Sequence, residues 1–247
     1  MHSIASVGLG EKVWLYLESE LSDGLSTSSA LSAATAYLKK YLAAPSSSGN
    51  GEWPAIGRRF DQLAMPDESP NALTASDLVA VSFLSVNVPP RAAWAFLDWR
   101  SEAITRVLER ISVNLSIEDQ HCAFDVYSRS SALQDLWNLL RHDESGQPWG
   151  MGPTTVSKLM ARKRPRLVPL QDRVVMSELG AVDATYWDLW WHAMHLKIDE
   201  EYPVVEFAQC ARANVPAAHD LSLLRVLDII IWMNGKHRVR ASSGLTS

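Results

Sequence analysis

The densest concentration of chemistry-bearing residues lies between Gly150 and Val175, GMGPTTVSKLMARKRPRLVPLQDRVV. It opens on Gly150-x-Gly152, a pair that permits a tight turn with backbone angles other residues avoid. Pro153 then suits the first position of a helix, where a missing N–H costs nothing. The unpaired N–H groups of that first turn, with the positive end of the helix dipole, form an anion site. Thr154 and Thr155 stand in the turn, and Lys158 and Arg162 extend positive charge along the helix. Lys163, Arg164 and Arg166 complete a basic run. From Met151 to Arg173 there are six cations against one acid, Asp172, so this window is +5 in a chain of net charge −5, and the remainder is −10. A compact basic segment in an acidic protein predicts a local contact with a phosphate backbone rather than general affinity for polyanions. The competing account of the charge is a solvated basic loop.

Asp172 is the one carboxylate in this window. It follows Val168-Pro169-Leu170-Gln171 and precedes an apolar helical pattern. An N-cap is the ordinary role of aspartate there. His192 and His195 share a helix face, but no third ligand accompanies them, and no metal or other cofactor is expected. Two cysteines, Cys122 and Cys210, are too few for a cysteine zinc site or a four-cysteine iron–sulfur cluster. No Gly-rich loop with Gly-Lys-Ser/Thr is present, which argues against an NTPase. A nuclease is disfavoured because no carboxylate cluster suited to metal ions appears.

The elements that must hold these residues read as helical. Apolar spacing predicts helices over 11–44, 91–112, 131–141, 153–161, 172–179, 187–196, 202–213 and 221–233. Thr74-x-x-Asp77 marks a further start before the apolar run Leu78 to Val86, and Pro89-Pro90 closes that run. Residues 45–51, PSSSGNG, read as a flexible connection. Residues 52–70 read as irregular, and 241–247 as a tail. No alternating hairpin series or βαβ rhythm is visible. The expected fold is mainly α, a multi-helix globule of two lobes with a helix-hairpin-helix DNA-binding element. The expected organisation is an N-terminal helical segment with its linker (1–51), one helical domain (52–240) with the hairpin at 131–175, and the tail. Arg225 and Asp228, three apart in an apolar helix, predict a structural ion pair. With 47% hydrophobic and 21% charged residues the chain is long enough and apolar enough to fold. No apolar run reaches a membrane span, and no secretory signal is recognised, so a cytoplasmic protein without a membrane partner is expected. Oligomeric state is not legible.

The segment resembles the helix-hairpin-helix DNA glycosylase superfamily. Those proteins share a Gly-x-Gly hairpin, a threonine three residues beyond the second glycine, and an essential aspartate about twenty residues beyond it. Gly152, Thr155 and Asp172 stand at those positions. The resemblance implies a glycosylase acting on double-stranded DNA, with Asp172 catalytic and Gly150, Gly152, Thr154, Thr155, Lys158, Arg162, Lys163, Arg164 and Arg166 facing DNA. Bifunctional members carry a lysine where this chain has Thr154, so the implied activity is monofunctional: base release without strand cleavage. Some members are thought to excise hypermodified bases from phage DNA, which makes glucosylated hydroxymethylcytosine one implied substrate and antiviral defence one implied role. Over 55–235 the chain also resembles an uncharacterised, chiefly actinobacterial family, through ARKRPRLVPLQD, TASDLVAVSFLSVNVPP and LSLLRVLDIIIWM.

Breaking an N-glycosidic bond leaves positive charge on the sugar, which a neighbouring carboxylate stabilises. The base must leave the stack and enter a pocket. The chain has ten tryptophans, and aromatic faces hold flipped bases. Trp149, Trp187, Trp190 and Trp191 are the candidates, although at helical spacing the last three fit a core at least as well. Arg58, Asp61 and Asp77 are candidates for reading the base edge. Hairpins of this kind also bind DNA without chemistry, so a non-catalytic helix-hairpin-helix DNA-binding protein is the alternative.

Overall fold

A computed structural model describes residues 8–21, 27–43, 56–63 and 69–242. The expected connection 45–51 and residues 243–247 of the expected tail lie outside them. Among the described residues the regular structure is helical, and extended pairing is limited to isolated bridges, His142 with Pro148 and Ile198 with Glu201.

The chain divides into two compact units, and it passes between them at Ala44/Pro45 and Gln171/Asp172. One unit holds α1 (Glu11–Leu15), continued by a π-helical turn at Tyr16–Glu20, and α2 (Thr27–Leu42). The other holds α3 (Arg59–Gln62), α4 (Ala75–Ser82), α5 (Pro90–Leu97), α6 (Ser101–Glu109), α7 (Ala132–Arg141) and α8 (Pro153–Lys163). The chain then returns to the first unit for α9 (Arg173–Glu178), α10 (Tyr186–Met194), α11 (Pro203–Ala213) and α12 (Leu223–Ser242). The helical domain expected over 52–240 is therefore divided at Gln171/Asp172. The N-terminal helix α2 packs on α11 and α12 rather than forming a segment of its own.

In the first unit α12 is central. Val226, Leu227, Ile230 and Ile231 are buried, and α2, α9 and α11 pack on it. It approaches α9 at Gly235, where a Cβ would stand 2.6 Å from Val174 Cγ1 and 2.9 Å from Glu178 Cγ. Only glycine allows the two helices to lie this close. The expected helix 221–233 runs on to Ser242. In the second unit α4 and α7 pack on α8. Leu133, Leu136 and Leu140 of α7 and Val156, Leu159 and Met160 of α8 are buried.

One long helix over 91–112 does not form. Asp98, at φ −124° and ψ −106°, separates α5 from α6. The Asp98 carboxylate accepts from Trp94 Nε1 at 3.1 Å, and its carbonyl accepts from Ser101 Oγ at 2.6 Å. The apolar stripe read from sequence combined two faces: Trp94 and Leu97 are exposed, whereas Ile104 and Leu108 are buried. The Thr74 start is observed, with Thr74 N–H donating to Asp77 Oδ2 at 3.0 Å.

Candidate functional site

The connection from α7 to α8 is held at its base by Trp149 N–H, which donates to the Arg141 carbonyl at 3.0 Å. Gly150 turns the chain at φ +85°, a conformation that a β-carbon disfavours. Gly152 is different. It has φ −80° and ψ 174°, caps α8, and a Cβ there would meet nothing within 4 Å. Both glycines are exposed, and Thr154 is half-buried at the open first turn of α8. Thr155 is buried.

The cations of α8 do not continue this exposed surface. Lys158 is buried, and its Nζ donates to the Leu84 carbonyl at 2.9 Å. Arg162 reaches the carbonyls of Phe60 (2.6 Å) and Leu63 (2.5 Å), with Nε 3.3 Å from Asp77 Oδ1. Lys163 pairs with Asp77 Oδ2 at 2.5 Å. Arg164 is 1% exposed. Its guanidinium donates to the carbonyls of Ile111 (2.8 Å) and Pro70 (3.0 Å) and to Asn71 Oδ1 (2.7 Å). Burial pushes the Arg164 pKa down, but an arginine stays charged through shifts of this kind. The planar fork satisfies several loop carbonyls at once, which a lysine cannot do. These four cations therefore hold Leu84, Ile111 and segments 60–63 and 69–71 to α8 and its C-terminal end, and the expectation that they face DNA phosphates is corrected. Arg166 and Arg173 remain exposed, Arg166 with a 3.3 Å bond to the Val113 carbonyl.

Asp77 stands at the helix start that Thr74-x-x-Asp77 predicted, and not at a base edge. Expected at a base edge, it is 1% exposed and joins Arg162, Lys163 and the start of α4. An acid directly before an apolar run was the available signal, since buried acids are almost always paired.

The lead-in to Asp172 is clamped. Leu167 to Gln171 are buried. Tyr127 OH donates to the Leu167 carbonyl at 2.8 Å, and Gln171 N–H donates to Ser157 Oγ at 3.0 Å. Asp172 then caps α9, its Oδ1 accepting from Val174 N–H at 2.9 Å. The carboxylate is half-buried at the positive end of a short helix.

The proposed pocket residues separate between the units. Trp149, Arg58 and Asp61 belong to the second, and Trp187 and Trp191 to the first. Trp149 serves as packing. Its Nε1 donates to the Leu139 carbonyl at 3.2 Å, its edge meets Phe96, and Arg91 lies over its ring at 5.4 Å. Trp187 and Arg58 are buried, and Asp61 is half-buried. Trp191 is half-buried and stacks on the His195 ring at 4.3 Å. Among the described residues no group of three His, Cys, Asp or Glu side chains is placed to hold a metal ion. No helix among them is long and apolar enough to cross a membrane. The Arg225–Asp228 ion pair expected from sequence is present.

Residues 34–235 match a family described as a family of unknown function, DUF6308, and this covers most of the chain. The chain belongs to that family. No curated protein and no solved structure matches it.

Proposed function

We propose that the chain is a monofunctional DNA glycosylase in which Asp172 is the catalytic carboxylate. The observation that carries this reading is the mounting of Asp172. A buried, hydrogen-bonded lead-in delivers it to the start of α9, and a backbone N–H fixes its carboxylate. Such a group is pre-oriented to stabilise the sugar cation that forms as the base departs. Water then adds to the anomeric carbon, its proton goes to solvent or to the departing base, and the products are free base and an abasic site. Thr154 cannot form a Schiff base, so strand cleavage is not part of the reaction. Gly152 supports a phosphate contact, because a Cβ at this cap of α8 would meet nothing within 4 Å.

A second reading, a hairpin that binds DNA without chemistry, is favoured by one observation: Asp172 acts as a helix cap, which needs no catalysis to explain it. Asp172→Asn separates the two, because asparagine caps as well as aspartate but carries no charge. The test is incubation with duplexes carrying alkylated, oxidised, deaminated and hypermodified bases, glucosylated phage DNA included, with abasic sites scored by alkali cleavage. Abasic sites from wild type and none from Asp172→Asn are expected. Salt-sensitive binding without abasic sites on any duplex would leave the binding module as the better account.

A further inference from the structure

Helix α9 has six residues, too few to hold a helix by propensity alone, so its place is set by what it packs on. It packs on α12, where two consecutive residues form its seat. Gly235 is buried inside that helix, a position where glycine is unfavourable unless a close approach requires it. A Cβ there would stand 2.6 Å from Val174 Cγ1, 2.9 Å from Glu178 Cγ and 3.1 Å from Glu178 Cδ. Asn234, 5% exposed, uses both ends of its amide. Its Nδ2 donates to Tyr16 OH at 2.8 Å, and its Oδ1 accepts from Tyr37 OH at 3.1 Å. Tyr16 OH donates onward to Glu178 Oε2 at 3.2 Å, and Arg238 Nη1 donates to the same oxygen at 3.3 Å. Glu178 therefore lies against Gly235 along its stem and is tied at its carboxylate.

We infer that Gly235 is a positioning residue for the Asp172 carboxylate, acting through Val174. Val174 serves both sides: its side chain lies against Gly235, and its N–H donates to Asp172 Oδ1 at 2.9 Å. One residue thus joins α12 to the carboxylate. Valine is stiff about χ1 in a helix, so its methyl has no easy way to turn aside from an added carbon. Glu178 is held at its far end. Room for a side chain at 235 must then come from movement of α9 as a body. Carbon atoms pack at about 3.5–4.0 Å, so the 2.6 Å approach calls for a shift of about 1 Å. That shift carries the Val174 N–H, and the carboxylate it fixes, out of place. A misplacement of about 1 Å at a reacting centre costs about a hundredfold in rate. The catalytic meaning of this link rests on the glycosylase reading, but its detection does not.

The experiment follows the backbone amide of residue 174 by proton–nitrogen NMR in wild type, Gly235→Ala, Val174→Ala and the double variant. On acidification from about pH 7 to about pH 3 the amide signal is expected to move as Asp172 takes up its proton, and to stay still in Asp172→Asn. In Gly235→Ala the movement is expected to shrink by about half, because a hydrogen bond weakens steeply once distance and angle leave their optimum. Val174→Ala removes the methyl that the added carbon meets and keeps the N–H, so the double variant is expected to regain the wild-type movement. In turnover, Gly235→Ala is expected to lower kcat about a hundredfold with KM unchanged. The double variant is expected to return to within about threefold of wild type. An unaltered amide movement in Gly235→Ala would overturn the inference. So would a double variant as slow as Gly235→Ala, because a glycine needed only for stability gains nothing from a second truncation. Should Gly235→Ala fail to fold, Val174→Ile lengthens the same branch from the other side, and a reduced or an unaltered amide movement decides in the same way. Absence of base release by wild type, with the movement lost in Gly235→Ala and regained in the double variant, would sink the catalytic reading and keep the link. Base release with an unaltered movement would do the reverse.

Discussion

At the scale of the residue, one carboxylate oxygen of Asp172 holds the Val174 N–H and so starts α9. Capping and catalysis ask different things of this side chain. Capping needs an acceptor on a short stem; charge stabilisation needs the anion. Asp172→Asn is therefore expected to unfold within about 0.5 kcal/mol of wild type, whereas Asp172→Ala is expected to lose about 1 kcal/mol. Urea unfolding of both variants checks this. Equal losses in the two would mean that the negative charge, and not the cap, holds the helix. The cap itself was legible in the sequence, because an aspartate before an apolar helical pattern has few other local uses. What the neighbouring helices bury was not, since no local pattern specifies how they pack. Tyr186 sits at the start of a tryptophan-rich helix and gives no sign of its own that its hydroxyl is buried.

At the scale of the element, α8 shows where reading charge from sequence stops. Periodicity placed the helix and its start correctly, and the proline and glycines fixed how it begins. Nothing local states which way a basic side chain points, because that is decided by acceptors brought in from elsewhere. The acceptors here are carbonyls at Phe60, Leu63, Leu84 and Ile111 and the carboxylate of Asp77, about 50 to 100 residues away in sequence. The same limitation produced the single helix expected over 91–112, where exposed Trp94 and Leu97 read as core. If α8 is a strut, then Asp77 is its counterweight. Asp77→Ala would leave Lys163 buried without its carboxylate, Arg162 short of one partner and α4 without the Asp77 bond at its start. Removing one partner of a buried ion pair costs about 3–5 kcal/mol. Asp77→Ala is accordingly expected to lower the urea midpoint sharply. Asp61→Ala, a change at a half-buried carboxylate expected from sequence to read the base, is expected to move it far less. Equal effects would mean that the pairing around Asp77 does not hold α8 to its neighbours.

At the scale of the whole molecule, the proposed function requires an acidic chain to bring a polyanion to one place against its own field. The net charge is −5, and only the window around α8 opposes it. With Lys158, Lys163 and Arg164 turned inward, the exposed positive charge of that window narrows to Arg166 and Arg173. Counterion release then distinguishes cations that meet phosphates from cations that meet carbonyls. Each phosphate neutralised by a side chain contributes about −0.9 to the slope of log affinity against log salt. Arg166→Ala and Arg173→Ala are each expected to make the slope shallower by about one. Lys158→Met and Arg164→Met are expected to leave the slope unchanged and to lower the unfolding midpoint, because each removes a buried cation that ties distant carbonyls together. Fluorescence anisotropy of a labelled duplex from about 50 to about 200 mM salt reads the slopes, and urea denaturation of the same four proteins reads the midpoints. A slope made shallower by Lys158→Met, with the midpoint held, would put that lysine on phosphate and return α8 to the DNA-facing role its charge suggested.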